Sequence, residues 1–294
     1  MKGCDHMIFT GCGVAIVTPF HKDGTINFSK LEELIEYQIA SQTDAIIICG
    51  TTGESATMST EEKKQAIEFT IHTVNHRIPV IAGTGGNNTE TAMMMSEYAE
   101  VVGADGVLVV TPYYNKCTQK GLYEHYKKIA KSISIPIILY NVPSRTGVNI
   151  EMATLQKLAT IKNIVAIKEA SGNISQTAEM IAKLPSDFWV YSGNDDQTLP
   201  ILSLGGKGVI SVVANIYPQE MHDLCTYYLS GDIAKSKEIF YELFDIMKAL
   251  FIEVNPIPIK EAMNILGFQV GPTRLPLCAM ESKHKKILKK CLEK

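Results

Sequence analysis

The sequence predicts an α/β protein, a (β/α)8 TIM barrel followed by a C-terminal helical extension. Three observations predict it. Short apolar, β-branched runs occur eight times along the chain, amphipathic stretches with capping residues separate them, and past Gly231 the runs stop while helical periodicity continues. The strand candidates are residues 14–18, 45–49, 79–82, 106–110, 137–140, 164–168, 189–192 and 208–211. They show little polar alternation, as expected of parallel strands covered on both faces. Their spacing, roughly 20 to 35 residues, leaves room for one crossover helix each.

The intervening helices follow in order. Leu31, Leu34, Ile35 and Ile39 form an apolar stripe, and Ser29 with Glu32 has capping-box spacing. Ser59 and Glu62 repeat that device. His72 and His76 are spaced i,i+4 on one predicted helix without the glutamate of an H-E-x-x-H zinc site. The stretch Gly83-Thr84-Gly85-Gly86-Asn87-Asn88 follows a strand and opens a helix but lacks the third glycine of a dinucleotide fingerprint. It is either a tight turn or a backbone anion site. Met93, Met94 and Met95, and Tyr227 with Tyr228, fall in helical patterns and are assigned to packing. The barrel is therefore placed at residues 1–230 and the extension at 231–294, with helices at 233–252, 257–266 and 281–292.

The 294 residues are 46% hydrophobic and 20% charged, with a net charge of −3, so no basic excess exists to hold a nucleic-acid backbone. The basic run from Lys283 to Lys290 lies on a terminal helical pattern and is taken as solvated surface. No apolar stretch is long enough to span a bilayer, and residues 1–8 carry no signal-peptide pattern, which predicts a cytoplasmic protein. Cys4, Cys12, Cys49, Cys117, Cys225, Cys278 and Cys291 form an odd set without C-x-x-C spacing, so reduced thiols are expected and neither disulfides nor a zinc site.

In such a barrel the active site lies at the C-terminal ends of the strands. Lys168 closes the apolar run Ile164-Val165-Ala166-Ile167 and, by simple alternation, points into the barrel mouth along with Ile164 and Ala166. There a desolvated amine could attack a carbonyl. Tyr140 ends the adjacent strand, where its phenol could move protons during imine formation. Thr51 and Thr52, in a glycine-flanked turn, offer hydroxyls and N–H groups for a small carboxylate or a proton relay. Arg145, in the loop after the fifth strand, could grip a second carboxylate with both arms of its guanidinium.

Gly50-Thr-Thr-Gly-Glu54, Thr111-Pro-Tyr-Tyr-Asn115, Tyr140-Asn-Val-Pro-Ser-Arg-Thr-Gly147 and Ile167-Lys-Glu169 occur in this order. So do Ser192-Gly-Asn-Asp195, Gly208-Val-Ile-Ser211 and Asn255-Pro-Ile-Pro258. The set resembles the dihydrodipicolinate synthase family of Schiff-base aldolases over nearly the whole chain. That resemblance implies condensation of pyruvate, held as an imine on Lys168, with L-aspartate 4-semialdehyde, without metal or organic cofactor. It further implies that Tyr140 donates and accepts protons, that Thr51 and Tyr114 complete a relay with it, and that Thr52 holds the pyruvate carboxylate. Arg145 would receive the carboxylate of the aldehyde, and Gly193 and Ile210 would line the keto-acid pocket through their backbones. A homotetramer built from two tight dimers is implied as well, with Tyr114 reaching the partner's site.

N-acetylneuraminate lyase and 2-keto-3-deoxy sugar acid aldolases share the lysine and tyrosine, but Arg145 in its Ser-Arg-Thr-Gly setting favours the synthase. A catalytically dead ligand-binding barrel is the reading from another class, and intact Lys168, Tyr140 and Thr51 speak against it. Lysine-sensitive family members carry histidine or tryptophan at the position of Thr60, histidine at Lys63 and glutamate at Thr91. All three differ here, so weak lysine inhibition is expected.

Overall fold

The computed structural model describes residues 8–293. Cys4 and the rest of segment 1–7 lie outside the described residues. Eight parallel strands close into a barrel in chain order: β1 (Gly11–Ala15), β2 (Ala45–Ile48), β3 (Val80–Gly83), β4 (Gly106–Val110), β5 (Ile137–Asn141), β6 (Ile164–Glu169), β7 (Trp189–Ser192) and β8 (Gly208–Ser211). The outer helices are α1 (Phe28–Ala40), α2 (Thr60–Val74), α3 (Thr89–Val101), α4 (Gln119–Ser132), the single turn α5 (Pro143–Thr146), α6 (Met152–Leu158), α7 (Ile174–Lys183), α8 (Thr198–Leu204) and α9 (Pro218–Leu229). Beyond them come α10 (Ile233–Ala249), α11 (Ile257–Ile265) and α12 (Ser282–Leu292).

The first strand lies earlier than residues 14–18. Gly11 and Gly13, outside the expected strand, belong to β1 and pair with Gly208 and Ile210 of β8. Glycine is required because the backbones meet: a Cβ on Gly208 would lie 1.9 Å from the Gly11 carbonyl oxygen. Residues 17 and 18 instead cross the mouth, where the Val17 N–H donates to Asn215 Oδ1 at 3.0 Å.

Ser59 and Glu62 form the expected capping box, each side chain accepting from the other's backbone N–H. Ser29 does not cap. It lies inside α1, and Asn27, two residues earlier, is the cap, accepting from Lys30 N–H at 3.0 Å. His76 leaves the expected histidine pair, because α2 ends at Val74 and Asn75 turns the chain left-handed. In the Gly83-to-Asn88 stretch, a Cβ on Gly85 would sit 2.3 Å from the Val110 nitrogen, so close backbone packing accounts for that glycine. Asn88 caps α3.

Inward-facing Ala15, Ala45, Ile47, Ile81, Leu108, Ile138 and Ile210 fill the barrel, and the alternate strand residues face the helices. Each fully buried Val, Leu or Ile contributes roughly 1.5–3 kcal/mol. Phe9 stacks on Tyr191 at 4.5 Å, the Tyr191 hydroxyl donates to the Phe9 carbonyl at 2.6 Å, and Trp189 meets the Tyr191 ring edge-on. These rings floor the barrel at its N-terminal end. On β6 the expected alternation fails. Ile137 and Ile138 of β5 pair with Ile164 and Ala166, leaving Val165 as an extra residue. Val165 therefore packs inside and Ile164 faces the helices, contrary to the inward position read from alternation.

The C-terminal helices return to the barrel. Lys260 of α11, fully buried, donates to Glu54 Oε1 at 2.8 Å, to the Thr18 carbonyl at 3.1 Å and to the Pro272 carbonyl at 2.6 Å. The other Glu54 oxygen accepts from Arg274 N–H at 2.8 Å, and the Arg274 guanidinium grips Glu62 and the Gly24 carbonyl. No helix among the described residues is long and apolar enough to cross a membrane.

Candidate active site

Lys168 and Tyr140 are direct cross-strand partners at the C-terminal ends of β6 and β5. Both point inward, 5% and 7% exposed, and the Lys168 ammonium sits 4.5 Å above the centre of the Tyr140 ring. The pair stands above the apolar layer of Leu108, Ile138 and Ile210, so the amine is withdrawn from bulk water on its lower side.

A small cavity of about 40 Å³ adjoins Tyr140 and is lined by Thr51, Ser55, Gly85 and Val110. Those four residues, but not Tyr140, also help line an outer cleft of about 280 Å³ whose walls include Tyr113, Arg145 and Asn255. Gly193 lies against the lysine stem: a Cβ there would approach Lys168 Cε at 3.2 Å and Ala170 Cβ at 2.6 Å. Glycine at this position leaves the space that a reacting keto acid on Lys168 would need. Ile210 is buried in the same inner layer.

The turn carrying Thr51 and Thr52 is tightly held. Cys49 and Glu54 bracket it with φ of 57° and 55°, and the Glu54 N–H closes it onto the Thr51 carbonyl at 3.1 Å. Thr52 Oγ1 accepts from Asn255 Nδ2 at 3.0 Å, which leaves the threonine hydroxyl proton free to donate. Arg145 donates through Nη2 to the Asn255 carbonyl at 3.1 Å and is otherwise exposed. Asn255 thus joins the two residues expected to hold carboxylates. It was visible in sequence only as part of the Asn-Pro-Ile-Pro run, since nothing local signals a partner so far away.

The structure brings Lys168, Tyr140, Thr51, Thr52, Arg145, Gly193 and Ile210 to one end of the barrel. Tyr114 stands apart. Its ring is 91% exposed on a residue with φ of 70°, and its neighbour Tyr113 lines the cleft instead. Lys63 and Thr91 line an adjoining cavity of about 150 Å³ with Asn87 and Tyr113, but Thr60 does not.

The buried cysteines are poor nucleophiles. Burial pushes the Cys49 thiol up to about 12 and raises those of Cys12 and Cys225 as well. Among the described residues no group of three or more His, Cys, Asp or Glu side chains is placed to hold a metal ion.

The model of the dihydrodipicolinate synthetase family matches residues 8–294. The chain belongs to this family. It is 60% identical over 286 residues to the 4-hydroxy-tetrahydrodipicolinate synthase of Clostridium novyi (strain NT), covering 97% of this chain and 96% of that one. The crystal structure of dihydrodipicolinate synthase from Aquifex aeolicus superposes with a TM-score of 0.95 at 48% identity, covering 97% of each chain. A monomeric dihydrodipicolinate synthase variant matches with a TM-score of 0.95 at 46% identity, covering 98% of this chain and 97% of that one.

Proposed function

We infer that the chain condenses pyruvate with L-aspartate 4-semialdehyde to give 4-hydroxy-tetrahydrodipicolinate, the first committed step towards diaminopimelate and lysine. The observation that carries the reading is the buried Lys168–Tyr140 pair beneath a cleft that offers Arg145. Relatives named for this reaction over nearly the full chain support it.

The Lys168 amine adds to the pyruvate ketone, and the carbinolamine oxygen leaves as water after taking a proton delivered through Tyr140. The resulting iminium withdraws electrons, so the methyl carbon loses a proton and becomes an enamine. Its carbon attacks the aldehyde, the C–C bond forms, and the aldehyde oxygen becomes a hydroxyl. The substrate amine then adds to the imine carbon and expels the Lys168 amine, which closes the ring and frees the enzyme. In this scheme Thr51 relays protons to Tyr140, with Tyr114 supplied by a partner subunit. Thr52 binds the pyruvate carboxylate, and Gly193 and Ile210 bound the keto-acid pocket. Arg145 binds the carboxylate of the aldehyde. No metal or organic cofactor enters any step.

The reading includes a homotetramer of tight dimers, supported by the exposed, left-handed Tyr114, and a cytoplasmic enzyme whose cysteines stay reduced. Incubation with pyruvate and aspartate 4-semialdehyde, with product followed by a coupled reductase, is expected to show turnover. Turnover only with sugar-derived aldehydes would assign the chain to the aldolases instead.

A further inference from the structure

We propose that Glu169 is a positioning residue for imine formation, holding Lys168 opposite Tyr140 from the far side of the strand; this rests on the function inferred above. Above the bulge at Val165 side chains alternate along β6, so Glu169 faces away from the barrel while Lys168 faces in, and the same holds for Asn141 beside Tyr140. Asn141 and Glu169 are the last cross-strand partners of β5 and β6, one step beyond Tyr140 and Lys168. The bulge at Val165 shifts the register lower in the same strand pair, so the register at the mouth has to be fixed above it.

Glu169 fixes it there. Its Oε2 accepts from Asn141 Nδ2 at 2.9 Å and from Gln176 Nε2 at 3.5 Å, and its Oε1 accepts from Ser171 N–H at 2.6 Å. Asn149 completes the cluster, accepting from both amides and donating to Gln176 Oε1 at 2.9 Å. The Glu169 carbonyl accepts Gly193 N–H at 2.7 Å, which sets the glycine that lies against the Lys168 stem. Glu169 and Asn141 are both buried, and every hydrogen-bond partner of the carboxylate is a neutral donor.

A buried carboxylate facing neutral donors alone is costly, and the donor count explains why it is kept. Both oxygens must accept. A glutamine of the same shape would turn its NH₂ group either toward Ser171 N–H or toward the Asn141 and Gln176 amides, setting donor against donor. The strand end would then shift to relieve the clash, carrying Lys168 away from Tyr140. The pairing also predicts its own repair. In Glu169→Gln with Asn141→Asp the carboxylate moves across the strand pair: the glutamine NH₂ donates to the new aspartate, its oxygen keeps Ser171 N–H, and the Asn149 and Gln176 amides flip to match.

The test is the single-turnover rate at which borohydride traps the pyruvate adduct on Lys168. Glu169→Gln is expected to slow adduct formation at least tenfold and to lower kcat more than it raises KM for pyruvate. The double variant is expected to recover most of the rate. If Glu169→Gln does not fold, Asn141→Asp serves as the single variant, since it sets two carboxylates face to face, and adding Glu169→Gln should restore the rate. An unchanged rate in the single variant, or a double variant no faster than the single, would overturn the proposal. Absence of any adduct on Lys168 in the unaltered protein would instead overturn the function on which it rests.

Discussion

Arg145 reaches the cleft from the one-turn helix α5, with one guanidinium nitrogen on the Asn255 carbonyl and the rest exposed for a ligand. Arg145→Ala should still form the pyruvate imine while kcat/KM for the aldehyde falls ~10²-fold, the loss of a charge-assisted pair of ~3 kcal/mol. An equal loss for both substrates would contradict the assignment. The placement of Lys168, Tyr140, the two threonines and Arg145 at the barrel mouth was legible in sequence because residues that close the apolar runs, or follow them in the next turn or loop, fall there. Lys260 was not. It is a lysine in an ordinary helical pattern, and its partner Glu54 is 206 residues away. Both side chains of that pair are essentially inaccessible, and burial lowers the Lys260 pKa while Glu54 opposes the shift. Lys260→Met should therefore strand the Glu54 carboxylate and cost about 3–5 kcal/mol. Urea unfolding would measure this, and a loss under ~1 kcal/mol would mean that Glu54 finds another partner.

Among the elements, the segment after α11 is tied to the start of α2. The Arg274 hydrogen bond to Glu62 is the main cause that holds the Glu62 carboxyl below the usual carboxylate range. A folded-state value below the unfolded one means that the tie stabilises fully above about pH 4.3 and is lost as pH falls through the lowered value. Arg274→Met should destabilise the protein at pH 7, and its deficit should shrink towards pH 3. It should not vanish, because donation to the Gly24 and Thr57 carbonyls is independent of pH. Urea midpoints at the two pH values would show a constant deficit if the carboxylate plays no part. Strand order and number were legible from apolar runs, and the α2 cap from Ser59 and Glu62. The start of β1 and the bulge on β6 were not. Gly11 and Gly13 carry no strand signal, and one extra residue in an apolar run leaves composition unchanged while reversing the faces below it.

For the whole molecule, the exposed Tyr114 makes assembly testable. A non-glycine residue in the left-handed region costs on the order of 1–3 kcal/mol and persists only where its surroundings fix it. Mixing Tyr114→Phe with Lys168→Ala protomers should restore part of the activity if the tyrosine serves a partner's site. No recovery in demonstrated hybrids would place it in its own. The cavity holding Lys63 and Thr91 lacks the carboxylate that lysine-sensitive relatives are expected to carry there and adds a positive charge. Half-inhibition by lysine should lie above ~1 mM, equivalent to about 4 kcal/mol of binding; a lower value at saturating pyruvate would contradict this. The aromatic floor of Phe9, Tyr191 and Trp189 has a bearing on kinetics. A barrel sealed at one end gives both substrates, and the water expelled between them, a single route. On the proposed chemistry Lys168 takes the keto acid at the bottom of that route, so the keto acid would arrive first and its water would leave before the aldehyde settles above it. Double-reciprocal plots against one substrate at fixed levels of the other should therefore be parallel, and lines that converge would mean both substrates are seated before any water departs.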